Sequence, residues 1–208
     1  MDPFTLLIFG LALPFLFGSV PFGLLITASA GLGDIRNIGS GNVGATNVLR
    51  TGRKGLALAT LLADAGKGAA AVIIAQFLGG DSLLPMIAAV AVVLGHMFSP
   101  WLKFKGGKGV ATAIGVILAL SWPVGLCAVA IWLLMAWRFR YSSLAALTAA
   151  TATPLFALLF STWQTAAAFF IIAALVAWRH GANIQRLLSD TESKISFGAN
   201  NKAEPSNA

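Results

Sequence analysis

VATAIGVILALSWPVGLCAVAIWLLMAW, residues 110–137, holds no charged side chain. As one helix its 28 residues would extend roughly 42 Å, too long for a ~30 Å bilayer core unless strongly tilted. Split at Ser121–Pro123 it becomes two short helices of about 13 residues each, marginal for crossing. One crossing or two decides on which side every later segment lies.

Composition makes a membrane the right frame. Of 208 residues, 58% are hydrophobic and 10% charged, with a mean hydropathy of +0.84. A soluble domain would have roughly a quarter of its residues charged. A net charge of +7 could suggest nucleic acid, but the basic residues stand in short clusters between apolar runs, as in membrane topology. Cys127, the only cysteine, lies in an apolar run, so it reads as a packing residue.

Apolar segments run over Phe4–Ala28, Gly55–Leu78, Pro85–Leu102, Val110–Trp137, Ser143–Phe160 and Trp163–Trp178. Ala28–Ala30 imitates a signal-peptidase site. No Lys or Arg precedes the first run, however, and about 25 apolar residues is long for a signal core, so it reads as a retained span. Counting 110–137 twice gives seven spans and places GDIRN, RTGRK, KFKGGK, RFR and everything basic from Arg179 onward on one face. Lys67 falls within the second span, and the other thirteen Lys and Arg residues share that face. The opposite face has Asp2 and Asp81 and no basic residue. Counted once, RFR and the tail would cross over. The positive-inside rule therefore selects an all-α integral membrane protein of seven transmembrane helices, N-terminus periplasmic and C-terminus cytoplasmic. Trp101, Trp137 and Trp178 would mark one interface, Trp122 and Trp163 the other. Residues 1–195 form one membrane domain in this reading, and 196–208 (SFGANNKAEPSNA) a disordered tail.

Unusual polar stretches then collect near the cytoplasmic face, and polar groups at membrane depth are costly enough to suggest a site. GSGNVGATNVLR (39–50) contains G-x-G-x-x-G, with Asp64 twenty residues past Gly44. A dinucleotide site would need a preceding strand, whereas here a membrane helix precedes. Close helix packing explains glycine but not Ser40, Asn42, Thr46, Asn47 and Arg50 together. A glycine backbone can instead form a nest for an anion, with hydroxyl donors and the Arg50 fork added. KFKGGKG (103–109) is no P-loop, since Gly109 follows Lys108; anchoring a span end and binding phosphate both remain open. Asp64 and Lys67, three apart in DAGKG, share a helix face, either as an intramembrane ion pair or as substrate ligands. His96 has no carboxylate near it in sequence and reads as a hydrogen-bonded helix residue. In RHGANIQRL (179–187), His180 and Asn183 share a face, with Arg179 and Arg186 read as snorkelling interfacial residues. Glu192 follows without a local partner. No histidine is followed by an aspartate five residues on, and no G-x-S-x-G elbow or metal-ligand spacing occurs, so an enzyme built here would work by positioning and electrostatics.

GSVPFG (18–23), GSGNVGATNVLR, DAGKG, GHMFSPWLKFKGGKGVAT (95–112) and RHGANIQRL together resemble, in order, the bacterial acyl-phosphate-dependent glycerol-3-phosphate 1-O-acyltransferases, from Gly18 to Glu192. The resemblance implies a seven-helix inner-membrane enzyme that begins phospholipid synthesis. It would pass an acyl group from acyl phosphate to the 1-hydroxyl of glycerol 3-phosphate, giving 1-acylglycerol 3-phosphate and phosphate. It implies no cofactor, metal, nucleic acid or obligate protein partner; the partners are the two substrates and membrane lipid. Carried over by motif, Ser40, Arg50, Lys108, His180 and Asn183 are the expected catalytic residues. Gly39, Gly41, Asn42, Gly44, Thr46 and Asn47, with Gly106 and Gly107, are the expected phosphate-holding positions, and Asp64, Lys67 and Glu192 support them. LLSDTE (187–192) departs from the pattern, with Asp190 where glycine is usual. The rival readings are a carrier of an organophosphate anion and a non-catalytic lipid-binding scaffold. A carrier needs a midplane site open to both sides, whereas these polar groups gather on one face.

Overall fold

The computed structural model describes residues 2–79 and 83–195, all helix and loop. Asp81 and the tail 196–208 lie outside the described residues. The chain opens with α1 (Pro3–Ser29), capped by the Asp2 carboxylate, which accepts from the Thr5 amide at 2.9 Å. This first span is interrupted at Val20–Pro21, because proline has no N–H to continue the ladder. The break leaves two carbonyls without helical donors. Ser99 Oγ donates to the Ser19 carbonyl at 2.6 Å, and Lys67 Nζ to the Val20 carbonyl at 2.9 Å.

After the glycine loop come a short α2 (Ala45–Leu49), α3 (Lys54–Gly79) and α4 (Leu84–Met97). Residues 110–137 are two helices, α5 (Val110–Leu120) and α6 (Trp122–Phe139), divided at Ser121. The break sits where expected, but the halves are unequal, 11 and 18 residues, because Trp122 and Pro123 form the first turn of α6, which also runs on past Trp137 to Phe139. The run folds back as a hairpin. Lys108, before α5, and Ser143, after α6, both reach the same C-terminal segment, through Asn183 and Glu192. At the other end Gly125 lies against Leu118. The chain closes with α7 (Ser142–Phe160), α8 (Trp163–Arg179) and α9 (Gly181–Leu188), which turns 63° away from α8.

Among the described residues, five segments are long and apolar enough to cross a membrane, and six if the bent α8–α9 pair counts as one. At 11 residues, roughly 16 Å, α5 is shorter than that. Between helices there is little hydrophobic driving force in lipid, so association depends on close packing at small residues. Gly68 of α3 lies against the Thr112 carbonyl of α5, and Gly115 of α5 lies against the Ala65 carbonyl of α3. Gly18 and Gly95 make the same reciprocal approach between α1 and α4. A core of Val92, Val93, Met97, Val116, Phe169 and Ile172 joins α4, α5 and α8. All five tryptophans expected at the interfaces are exposed on the helix surfaces.

Candidate active site

The glycine loop is shaped by its own backbone and by Asn47. Gly39 and Gly41 take φ +57° and +69°, the left-handed region open to glycine, so the chain doubles back after Ile38. Asn47 Nδ2 donates to the carbonyls of Ile35 (3.0 Å) and Ile38 (2.9 Å), while its Oδ1 accepts from the Ser40 amide (2.9 Å) and hydroxyl (3.2 Å). Both its donors are engaged within the loop, so Asn47 pins the turn, and it also lines the cavity described below. Asn42 Oδ1 accepts from the Gly44 amide at 3.2 Å, and Gly44 caps α2. The Thr46 and Ser142 hydroxyls lie 3.1 Å apart, and Arg50 Nη2 donates to Ser193 Oγ.

In the second loop the Gly106 and Gly107 amides donate to the carbonyls of Met97 and His96, both at 3.1 Å, fastening the segment to the end of α4. These N–H groups therefore face the end of α4. Their glycine identity answers a packing need, since a Cβ on Gly107 would coincide with the His96 ring. Lys108 leaves this strap and donates Nζ to Asn183 Oδ1. Burial lowers its pKa to about 8; Glu192 opposes that shift, and Arg186, Arg50 and Arg179 add to it.

His180 stands just past the end of α8, its Nδ1 2.7 Å from the Val176 carbonyl. Burial pushes its pKa down to about 4, so the ring is neutral: Nδ1–H donates and Nε2 keeps an acceptor lone pair. The turn into α9 brings Asn183 to Lys108. Glu192, without a visible partner in sequence, is the hub beneath them. Its Oε1 accepts from Asn183 Nδ2 (2.6 Å) and Ser143 Oγ (2.8 Å), and its Oε2 from Arg186 Nε (2.7 Å). Burial works against its ionisation, but these hydrogen bonds outweigh that and hold the carboxyl below its ordinary value. Asp190 takes φ +55°, with the Thr191 amide donating to the Arg186 carbonyl across the end of α9. This left-handed helix terminus is a position that favours glycine.

Asp64 and Lys67 form a buried ion pair at 2.8 Å on α3. His96 Nδ1 lies 3.6 Å from Asp64, so the histidine does have a carboxylate neighbour, contributed by another helix. Asp64 and His96 reach the cavity, while Lys67 turns toward Val20.

The cavity has a volume of about 810 Å³. Ser40, Arg50, Lys108, His180, Asn183 and Glu192 line it, together with Asn42, Gly44 and Thr46. Leu61, Leu62, Ile114, Leu118, Val129 and Leu133, from α3, α5 and α6, form its apolar wall. Ser142, Ser143 and Ser193 also line it, though nothing in the sequence distinguished them from ordinary loop and cap residues.

Fold and cavity define a multi-pass membrane protein with a cationic, hydroxyl-bearing pocket that continues into an apolar groove. A family model described as glycerol-3-phosphate acyltransferase matches residues 8–190. A glycerol-3-phosphate acyltransferase of Rhodopseudomonas palustris (strain BisB5) is 57% identical over 89% of this chain and 94% of its own length. One from Rhodospirillum rubrum is 56% identical over 92% and 91%. Among solved structures, PlsY (YgiH), an integral membrane glycerol 3-phosphate acyltransferase in its glycerol 3-phosphate form, superposes with a TM-score of 0.84 at 39% identity. That match covers 93% of this chain and 95% of the other. The lysophosphatidic acid form gives a TM-score of 0.82 at 38% identity. The chain belongs to the glycerol-3-phosphate acyltransferase family.

Proposed function

We propose that the protein transfers an acyl group from acyl phosphate to the 1-hydroxyl of glycerol 3-phosphate. The products are 1-acylglycerol 3-phosphate and inorganic phosphate, the first acylation of phospholipid synthesis. The observation that supports this most directly is the continuity of one cavity from Arg50, Lys108 and His180 to the apolar wall of Ile114, Leu118 and Val129. Two phosphates and one acyl tail match such a shape. The family relationship supplies the glycerol 3-phosphate.

In this reading the hydroxyl oxygen attacks the acyl carbon directly, the bond from that carbon to the phosphate oxygen breaks, and phosphate leaves. Lys108 and Arg50 stabilise the charge gathering on the leaving group, and Ser40 orients it. His180 accepts a hydrogen bond from glycerol 3-phosphate through Nε2, with Asn183 beside it. With a pKa of about 4, His180 is a weak base. A phosphate dianion, whose conjugate acid has a pKa of about 6, is the better proton acceptor. Direct transfer is favoured over an acyl-enzyme because the Ser40 hydroxyl meets the Asn47 amide oxygen, which cannot act as a base. We further propose seven crossings of the bacterial inner membrane with the cavity facing the cytoplasm, which the hairpin at Ser121 supports.

The test is detergent-purified protein with acyl phosphate and glycerol 3-phosphate, scored for phosphate release and acylated product. Lys108→Ala and Ser40→Ala should each reduce turnover by about 10²- to 10³-fold. Absence of turnover in the wild-type protein would favour an organophosphate carrier or lipid-binding scaffold instead. Near-normal Lys108→Ala activity would remove the lysine from the chemistry.

A further inference from the structure

Arg179 looks in sequence like a charge at the rim of the last span, but its hydrogen bonds go to backbone carbonyls of the second loop. Its Nη2 donates to the Gly106 carbonyl at 2.8 Å and its Nε to the Gly107 carbonyl at 3.2 Å. The amides of the same two glycines are held on the other side by Met97 and His96. All four polar groups of the dipeptide are therefore engaged, and the next residue is Lys108. Four residues beyond Arg179, across the bend into α9, Asn183 receives the Lys108 ammonium. A single stretch of chain thus grips the lysine at both ends, its backbone by a guanidinium and its tip by an amide. The absence of side chains on Gly106 and Gly107 permits this, since a Cβ on either would strike α4.

We propose that Arg179 is a positioning residue for Lys108, its planar fork locking two successive carbonyls so that the ammonium meets the leaving phosphate in a fixed place. The fork matters because guanidinium presents paired donors in rigid geometry, whereas a lysine in its place would reach one carbonyl as a point charge. The proposal rests on the acyl-phosphate reading above. It predicts a loss of turnover more than of binding, because a displacement on the order of 1 Å at a reacting group lowers rate about 10²-fold.

The experiment uses full-length protein in detergent with two single variants, each also combined with Lys108→Ala. Arg179→Gln should lower kcat about 10²-fold, with KM for both substrates changed by less than about threefold. Arg179→Lys should recover part of the loss, to roughly tenfold below wild type. In the Lys108→Ala background neither substitution should lower turnover further, because a residue that acts through Lys108 has nothing left to act on. Additive losses, or wild-type kcat in Arg179→Lys, would overturn the proposal. If Arg179→Gln does not fold, Arg179→Lys decides the matter by itself.

A second readout needs no substrate. The pH dependence of Lys108 acetylation by acetic anhydride, read by peptide mass spectrometry, should have a midpoint near 8 in the wild type. Arg179→Lys keeps the positive charge, so a rise in that midpoint reports a lysine released toward water, and an unchanged midpoint overturns the positioning role. Inactivity of the wild-type protein on acyl phosphate would count against the reaction, and the labelling would still decide Arg179.

Discussion

Lys108 is an ammonium in a half-closed pocket, so its charge is conditional on pH. Burial sets its pKa at about 8, so the charged form is complete well below that value and is lost as pH rises through it. Turnover that depends on the ammonium should fall on the alkaline side with a midpoint near 8. Lys108→Arg, whatever its residual rate, should lose that limb, because guanidinium stays protonated. A pH–rate profile that stays flat to pH 9.5 in the wild type would exclude the dependence. Asp190 allows a separate test. It occupies a left-handed terminus at φ +55°, where a non-glycine residue costs roughly 1–2 kcal/mol. Asp190→Gly should stabilise the fold by about 1 kcal/mol and raise the thermal midpoint by roughly 2–4 °C, without lowering kcat.

At the level of elements, the reciprocal approach of α3 and α5 holds the chemistry in register. Asp64 lies on α3, and Lys108 lies two residues before α5 begins. Gly115 packs on the Ala65 carbonyl, one residue from Asp64. Gly115→Val should wedge the helices apart at a cost of about 1–3 kcal/mol, seen as a lowered thermal midpoint in detergent with a fall in activity. Gly66, on the same helix, has nothing near its missing side chain, so Gly66→Ala should leave the midpoint unchanged or raise it. Equal effects at the two positions would mean that close packing at Gly115 is not what joins these helices.

For the whole molecule, the hairpin at Ser121 sets which side each terminal element occupies. With two passes through residues 110–137, Lys194 and Ser161 lie on opposite sides; with one pass they would exchange sides. In a Cys127→Ala background, a membrane-impermeant maleimide on intact cells should label Ser161→Cys and spare Lys194→Cys until the cells are opened. The reverse pattern would refute the proposed orientation. Position 194 is also informative because Glu192 and Ser193, just before it, join the cavity floor to Ser143 and Arg50.

Much of this was legible in the linear chain. Sparse charge and one-sided basic clusters determined a helical membrane protein with its polar groups gathered at one face, because the cost of burying charge acts on every residue separately. The motifs named the residues that line the cavity, from Ser40 to Asn183. Tertiary structure alone decided how each is employed. Asn47 pins the glycine loop, Gly106 and Gly107 form a strap against α4, and Arg179, read as a rim charge, clamps that strap. Glu192 found partners on two other segments, and His96 found Asp64. The physical reason is the same in each case: a hydrogen-bonding group has a fixed capacity. Which neighbour takes up that capacity depends on contacts between distant segments, and these exist only once the helices have packed.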